Sequence, residues 1–133
     1  MTENVRASRI WSFQVWPAWA YGLALMVLGS LPNPPSGPAS MSDKALHFLG
    51  FGVLACLACR AARYFRAEAS VARALLGGFA ASALLGGALE LWQGALAYRS
   101  CEFMDWVADT LGAALGVAIT AGFWALSKRG ATA

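Results

Sequence analysis

One histidine and a small set of acids carry the chemistry this sequence can offer. His47 follows Asp43 and Lys44 in an Asp-Lys-x-x-His run; Glu90 and Gln93 form a Glu-x-x-Gln pair; Arg99 precedes Asp105 and Asp109, which stand four residues apart. An imidazole beside carboxylates can work as an acid–base pair, with Glu90 or Asp109 as the base and His47 as its acid partner. The same groups can hold a divalent metal with positions left open for substrate. Lys44, Arg99 and a protonated His47 can instead receive an anionic group, provided that several of the acids Asp43, Glu90, Asp105 and Asp109 are protonated or paired. No nucleophile stands out, because Ser100 and Cys101 have no base placed beside them. The residue types alone name no cofactor.

The elements that position these residues are apolar. Hydrophobic residues make up 59% of the 133, charged ones only 13%, and the mean hydropathy is +0.55. A water-soluble domain of this size would lack the polar surface to cover its core, so lipid must cover the outside. Four apolar runs, near 15–31, 43–59, 71–97 and 103–126, are each expected to be long enough to cross a hydrocarbon core, which takes about 20 helical residues. Pro17 opens the first, which Trp11, Trp16, Trp19 and Tyr21 flank as interfacial aromatics do. The Pro- and Gly-rich stretch 31–40 cannot stay helical. Its prolines make a poor cleavage site, so the first run reads as a retained helix and not a signal peptide. The fold class expected is all-α, an integral membrane bundle of four transmembrane helices forming one domain over residues 1–133.

Charge fixes the expected orientation. Arg6 and Arg9 precede the first run, Arg60, Arg63, Arg66 and Arg73 lie between the second and third, and Lys128 and Arg129 follow the fourth. The other two connections hold only Lys44 and Arg99 between them. Cytoplasmic loops carry the excess of Lys and Arg, so both termini should be cytoplasmic. The net charge of +3 therefore reflects topology, and no nucleic-acid partner is expected.

That orientation gathers the polar residues near the outer face. Asp43, Lys44 and His47 begin the second helix, Glu90 and Gln93 close the third, Arg99 lies between, and Asp105 and Asp109 begin the fourth. At about 1.5 Å rise per residue, His47, Glu90 and Asp109 sit one to two turns below the boundary. Asp43, His47, Gly50 and Leu54 share a stripe; Gly86, Gly87, Glu90, Gln93 and Gly94 form a broad face; Asp105, Asp109, Gly112 and Gly116 share another stripe. Glycines on membrane helices mark close helix approach, so the acids share the packing surface. Plainer roles exist for several: Asp43 as the N3 residue of a capping box opened by Ser40, Asp105 at a helix N-terminus, Lys44 snorkelling, Arg99 and Glu102 solvated. For His47, Glu90 and Asp109 the alternatives are a structural network or a functional pocket, and ionisable groups at membrane depth favour function. Cys56 and Cys59 read as small buried side chains rather than a zinc pair.

The run Asp43-Lys44-x-x-His47-Phe48-x-x-Phe51, then Glu90-x-x-Gln93, then Arg99, Asp105 and Asp109-Thr110-Leu111-Gly112-x-x-x-Gly116, resembles the VanZ-like membrane proteins over about residues 40–117. Asp109 stands where that family often carries asparagine. The resemblance implies a bacterial cell-envelope protein of the cytoplasmic membrane, and the family prototype is an accessory teicoplanin-resistance protein. It implies no agreed biochemical activity.

Three functions fit these residues. An outer pocket of Asp43, Lys44, His47, Glu90, Gln93, Arg99, Asp105 and Asp109 can engage a lipid-linked or cell-wall anionic group, or a glycopeptide, with membrane lipids as constant partners. A transferase or hydrolase can act on a lipid-linked envelope substrate, with His47, Glu90 and Asp109 as its catalytic candidates. A transport path is disfavoured, because the cytoplasmic half offers no matching acids.

Overall fold

The computed structural model describes residues 2–32, 42–65 and 70–130, without the side chains of residues 2–12 and 129. Arg66, Ser40 and the prolines Pro34, Pro35 and Pro38 fall outside it, as do the side chains of Arg6, Arg9, Trp11 and Arg129. Four helices follow in order: α1 (Thr2–Gly29), α2 (Asp43–Phe65), α3 (Val71–Gly94) and α4 (Phe103–Gly130). Three of them are long and apolar enough to cross a membrane, and the apolar part of α1, Phe13–Gly29, is shorter.

Hydropathy alone misplaces the helix ends, because a backbone ladder does not stop where side chains turn polar. α1 does not open at Pro17 but runs through it from Thr2. Proline lacks an N–H and leaves the carbonyl four residues back without its helical donor. Here the Arg60 guanidinium of α2 donates to the Phe13 carbonyl, filling that vacancy from another helix. α2 continues past Cys59 through Arg60 and Arg63 to Phe65. α3 stops at Gly94, and the chain then turns: Ala95 and Leu96 donate backbone N–H groups to Trp92 and Gln93, and Arg99 donates to Leu96.

Two caps are visible. The Ser70 hydroxyl accepts the Arg73 N–H at the start of α3. At the start of α2, Ser42 accepts the Ala45 N–H at 3.2 Å. Asp43 is thus the first helical residue, not N3, and the cap that satisfies the exposed donors is Ser42.

α2 is the central helix and touches all three others, most extensively α4. Absent side chains make that contact possible. A Cβ on Gly112 would overlap the Phe48 carbonyl group, 2.7 Å from its carbon, and one on Gly116 would meet the Gly52 carbonyl carbon at 3.0 Å. The glycine of α2 that faces α4 is Gly52; Gly50, expected in the packing stripe with His47, points instead at Leu25 of α1. α3 closes on α2 at Gly78, where a Cβ would stand 2.6 Å from the Cys59 backbone nitrogen. Phe51, Leu54 and Leu89 form the buried apolar core, with Tyr21, Leu25, Met26 and Leu85 packed around it. Much of the remaining apolar surface faces outward: Leu84 is 73% and Leu91 75% exposed. In water that exposure would be a liability; in a bilayer it is the lipid-facing surface.

Candidate functional site

The chain order puts the N-termini of α2 and α4 and the C-termini of α1 and α3 at one end of the bundle, where hydrogen bonds and ion pairs join all four. The site is built at this end. α2 turns His47 inward, one turn after Asp43. The His47 Nδ1 atom lies 2.9 Å from Asp109 Oδ1 of α4 and 3.9 Å from Glu90 Oε1 of α3. Its other ring nitrogen, Nε2, lies 4.0 Å from Asp105 Oδ2. One imidazole is therefore flanked by three carboxylates from two helices, with Asp109 fully buried, Glu90 and Asp105 nearly so, and the imidazole itself only 10% exposed.

Each neighbour is held from behind. Lys44, one turn before Phe48 on α2, places its ammonium 2.7 Å from Asp105 Oδ1 and 3.1 Å from Glu102 Oε2. The second oxygen of Glu90 accepts the Glu102 backbone N–H at 2.9 Å, so the α3–α4 connection fixes that carboxylate. Asp109 fits because α3 has no side chain at Gly86: a Cβ there would lie 2.7 Å from Asp109 Oδ2. Trp106 braces the same helix pair, donating its indole N–H to the Ala83 carbonyl at 3.0 Å.

Two buried carboxylate oxygens in this cluster have no hydrogen-bond partner among the described residues: Glu90 Oε1 and Asp109 Oδ2. Leaving a buried polar atom unsatisfied costs about 1–3 kcal/mol, and more for a charged group. Among the described residues, two sets of side chains bring a metal-ligating atom each within 4.8 Å of one another: half-buried His47 with buried Glu90 and Asp109, and exposed Asp43 with His47 and buried Asp105. His47 belongs to both.

The remaining expected residues fall in two other places. Gln93 is buried but turned toward α1, where its side-chain N–H donates to the Gly29 carbonyl at 2.9 Å. It works with Trp92, whose indole donates to the Ser30 hydroxyl at 3.0 Å, and Tyr98, whose hydroxyl donates to the Ser30 carbonyl at 2.9 Å. These three bonds fasten the end of α1 to α3 and the following turn. Arg99 lies across a cleft of about 350 Å3 whose walls include Leu25, Leu28, Leu46 and Val53, with Asp43 and His47 also lining it. Among the described residues the Arg99 guanidinium has no ion-pair or hydrogen-bond partner.

Sequence reasoning missed the parts that act through backbone or through missing atoms. The Glu102 N–H that holds Glu90 leaves no trace in residue type. Gly86 was legible as a packing glycine, but not as the seat of Asp109. Cys56 and Cys59 have their thiols directed at backbone carbonyls of Gly116 and Leu75, and neither belongs to a metal-ligating set among the described residues.

A helical bundle with three helices long and apolar enough to cross a membrane, and a buried histidine–carboxylate cluster at one end, is a small membrane protein with a built polar centre. The VanZ/LLP1 family model matches residues 5–125, and the chain belongs to that family. The match takes in α1, beyond the motif-bearing stretch 40–117. No curated protein and no solved structure matches the chain.

Proposed function

We propose that this is a multi-pass protein of the bacterial cytoplasmic membrane whose polar end faces outward and binds the anionic head of a lipid-linked envelope molecule. Such binding would contribute to tolerance of a glycopeptide such as teicoplanin. In this reading α1 is a fourth, short span, and the cytoplasmic face holds both termini, as the Lys and Arg distribution favours.

One observation carries the reading: the cleft of about 350 Å3 between α1 and α2 is apolar along its walls and polar where Arg99, Asp43 and His47 meet it. That profile suits an amphiphile, with a chain along the leucines and a head at the guanidinium. Arginine is the usual recognition residue for phosphate and carboxylate. Lys44 is already committed to Asp105 and Glu102, so the available positive charge narrows to Arg99, with His47 beside it.

Native mass spectrometry of the purified protein with phosphatidylglycerol and phosphatidylcholine tests the reading. Retention of the anionic lipid over the zwitterionic one, reduced about tenfold in Arg99→Gln, is expected; tenfold is the scale of one charge-assisted contact. Equal retention of both lipids, unaffected by that substitution, would rule the reading out.

A second reading, catalysis on such a lipid-linked molecule, is favoured by the imidazole geometry. Asp109 engages Nδ1, while Nε2 stands 4.0 Å from Asp105, beyond hydrogen-bond range, so Nε2 is left for proton exchange with a bound group.

A further inference from the structure

We propose that His47, Glu90 and Asp109 form a binding site for one divalent transition-metal ion, of which Zn2+ and Mn2+ are the natural probes. The inference concerns the acids behind the cleft and holds whether or not the cleft itself receives a lipid.

Geometry supports it first. The His47 Nδ1 atom is 2.9 Å from Asp109 Oδ1 and 3.9 Å from Glu90 Oε1, and ligand atoms of the three residues lie within 4.8 Å of one another. Ligands about 2.0–2.2 Å from a tetrahedral ion are separated by about 3.3–3.6 Å. The two distances from Nδ1 straddle that range and the third pair lies within 4.8 Å, so side-chain shifts of about an ångström would close the set. Three protein ligands also leave a fourth position open.

Partnering supports it independently. Glu90 is 3% and Asp109 0% exposed, and each keeps one oxygen without a hydrogen-bond donor. Glu90 Oε1, the unpartnered one, is the oxygen turned toward His47. Charge runs the same way. Asp105 has the Lys44 ammonium against it, whereas Glu90 and Asp109 share only the imidazole. Once both are ionised, two buried carboxylates facing one imidazole carry an excess of negative charge that a divalent cation balances.

The groups behind the ligands are those a metal site needs. A ligating histidine ordinarily donates its other ring N–H to a carboxylate, and ligating carboxylates are themselves hydrogen-bonded. With Nδ1 on the ion, Nε2 faces Asp105 at 4.0 Å, a gap that a small shift would close to a hydrogen bond; Asp105 is itself anchored by Lys44, and Glu90 by the Glu102 N–H. One imidazole and two carboxylates suit Zn2+ and Mn2+ better than Cu+, which prefers sulfur, or Mg2+, which keeps its waters. The cleft that reaches His47 supplies a way in.

The test uses the full chain purified in detergent, stripped with chelator and dialysed against Zn2+ or Mn2+. Elemental analysis should find one ion per chain, and Glu90→Gln and His47→Gln should each lower affinity at least tenfold. Arg99→Gln should leave metal binding unchanged, which separates this site from lipid recognition. X-ray absorption at the zinc edge of the unaltered protein, which does not depend on any variant folding, should show oxygen and nitrogen scatterers and no sulfur. Absence of stoichiometric binding by both ions, sulfur in the zinc shell, or a site lost with Asp43→Asn but kept in Glu90→Gln would each overturn the assignment.

Discussion

Asp109 of α4 lies against Gly86 of α3 so closely that a methyl group on Gly86 would stand 2.7 Å from its Oδ2 and 2.9 Å from its Cβ. The obstruction is not the free end of a long side chain but a short, fully buried one with its other oxygen on His47. Gly86→Ala must therefore separate α3 from α4 or turn Asp109 away from the imidazole. Overpacking of this kind typically costs about 1–3 kcal/mol. The expected result is a lower melting temperature in detergent, with the proposed metal binding weakened even where the variant still accumulates in the membrane.

The α2–α4 contact predicts a graded glycine series. Gly112 and Gly116 meet backbone carbonyls of Phe48 and Gly52, which cannot move aside without moving the helix. Gly122 on the same helix has nothing within 4 Å of an added Cβ. Leucine at 112 or 116 should displace α4 and markedly reduce thermal stability, while Gly122→Leu should leave melting near that of the parent. Equal effects at all three positions would mean that the tight α2–α4 approach is absent in the membrane.

The three bonds to Gly29 and Ser30 make a separate prediction about α1. Gln93→Leu leaves the Gly29 carbonyl without its donor, a loss on the order of 1 kcal/mol. Because α1 meets α3 at few other places, the effect should concentrate at the α1 end. Hydrogen exchange near residues 26–30 should rise, while residues 103–115 of α4 keep their protection.

How much of this was readable from residues follows from what each contact is made of. Helical spacing and the run of charges brought His47, Glu90, Asp105 and Asp109 to one level, because period and membrane depth depend on residue type alone. Gln93 lies within one turn of Glu90, yet its side chain serves α1; a period of 3.6 gives direction within a helix but not which neighbour stands there. Lys44 read as a snorkelling cation, and its pairing with Asp105 and Glu102 needed the relative placement of α2 and α4. The partners of Gly50 and Gly52 have the same cause: Gly50 meets Leu25 of α1 and Gly52 meets Gly112 of α4, and only the crossing of the helices tells the two glycines apart.

Orientation is checked through Cys101, exposed in the connection between α3 and α4, against Cys59, buried in α2, and Cys56, partly buried beside it. With the polar end outward, a membrane-impermeant thiol reagent should label Cys101 in spheroplasts and leave Cys56 and Cys59 untouched. Labelling of Cys101 only after permeabilisation would invert the topology and with it the proposed outer-leaflet ligand.

The last prediction separates a working centre from a scaffold. His47→Gln, Glu90→Gln and Asp109→Asn keep approximate shape and some hydrogen-bonding capacity while removing charge or proton transfer. If the cluster only ties α2, α3 and α4 together, each substitution should cost stability, since breaking a buried charged pair typically costs about 3–5 kcal/mol, and whatever envelope tolerance the protein confers should fall in proportion. If it is a functional centre, Glu90→Gln and His47→Gln should abolish tolerance while melting stays close to the parent, because Glu90 Oε1 has no donor to lose and glutamine can still accept the Glu102 N–H. Asp109→Asn should be the mildest, since an amide oxygen can replace Oδ1 opposite His47 Nδ1. The decisive measurement is paired: teicoplanin tolerance and melting temperature for each variant, from the same preparation. Parallel loss of both would leave a structural network; lost tolerance with intact melting assigns the three residues to function.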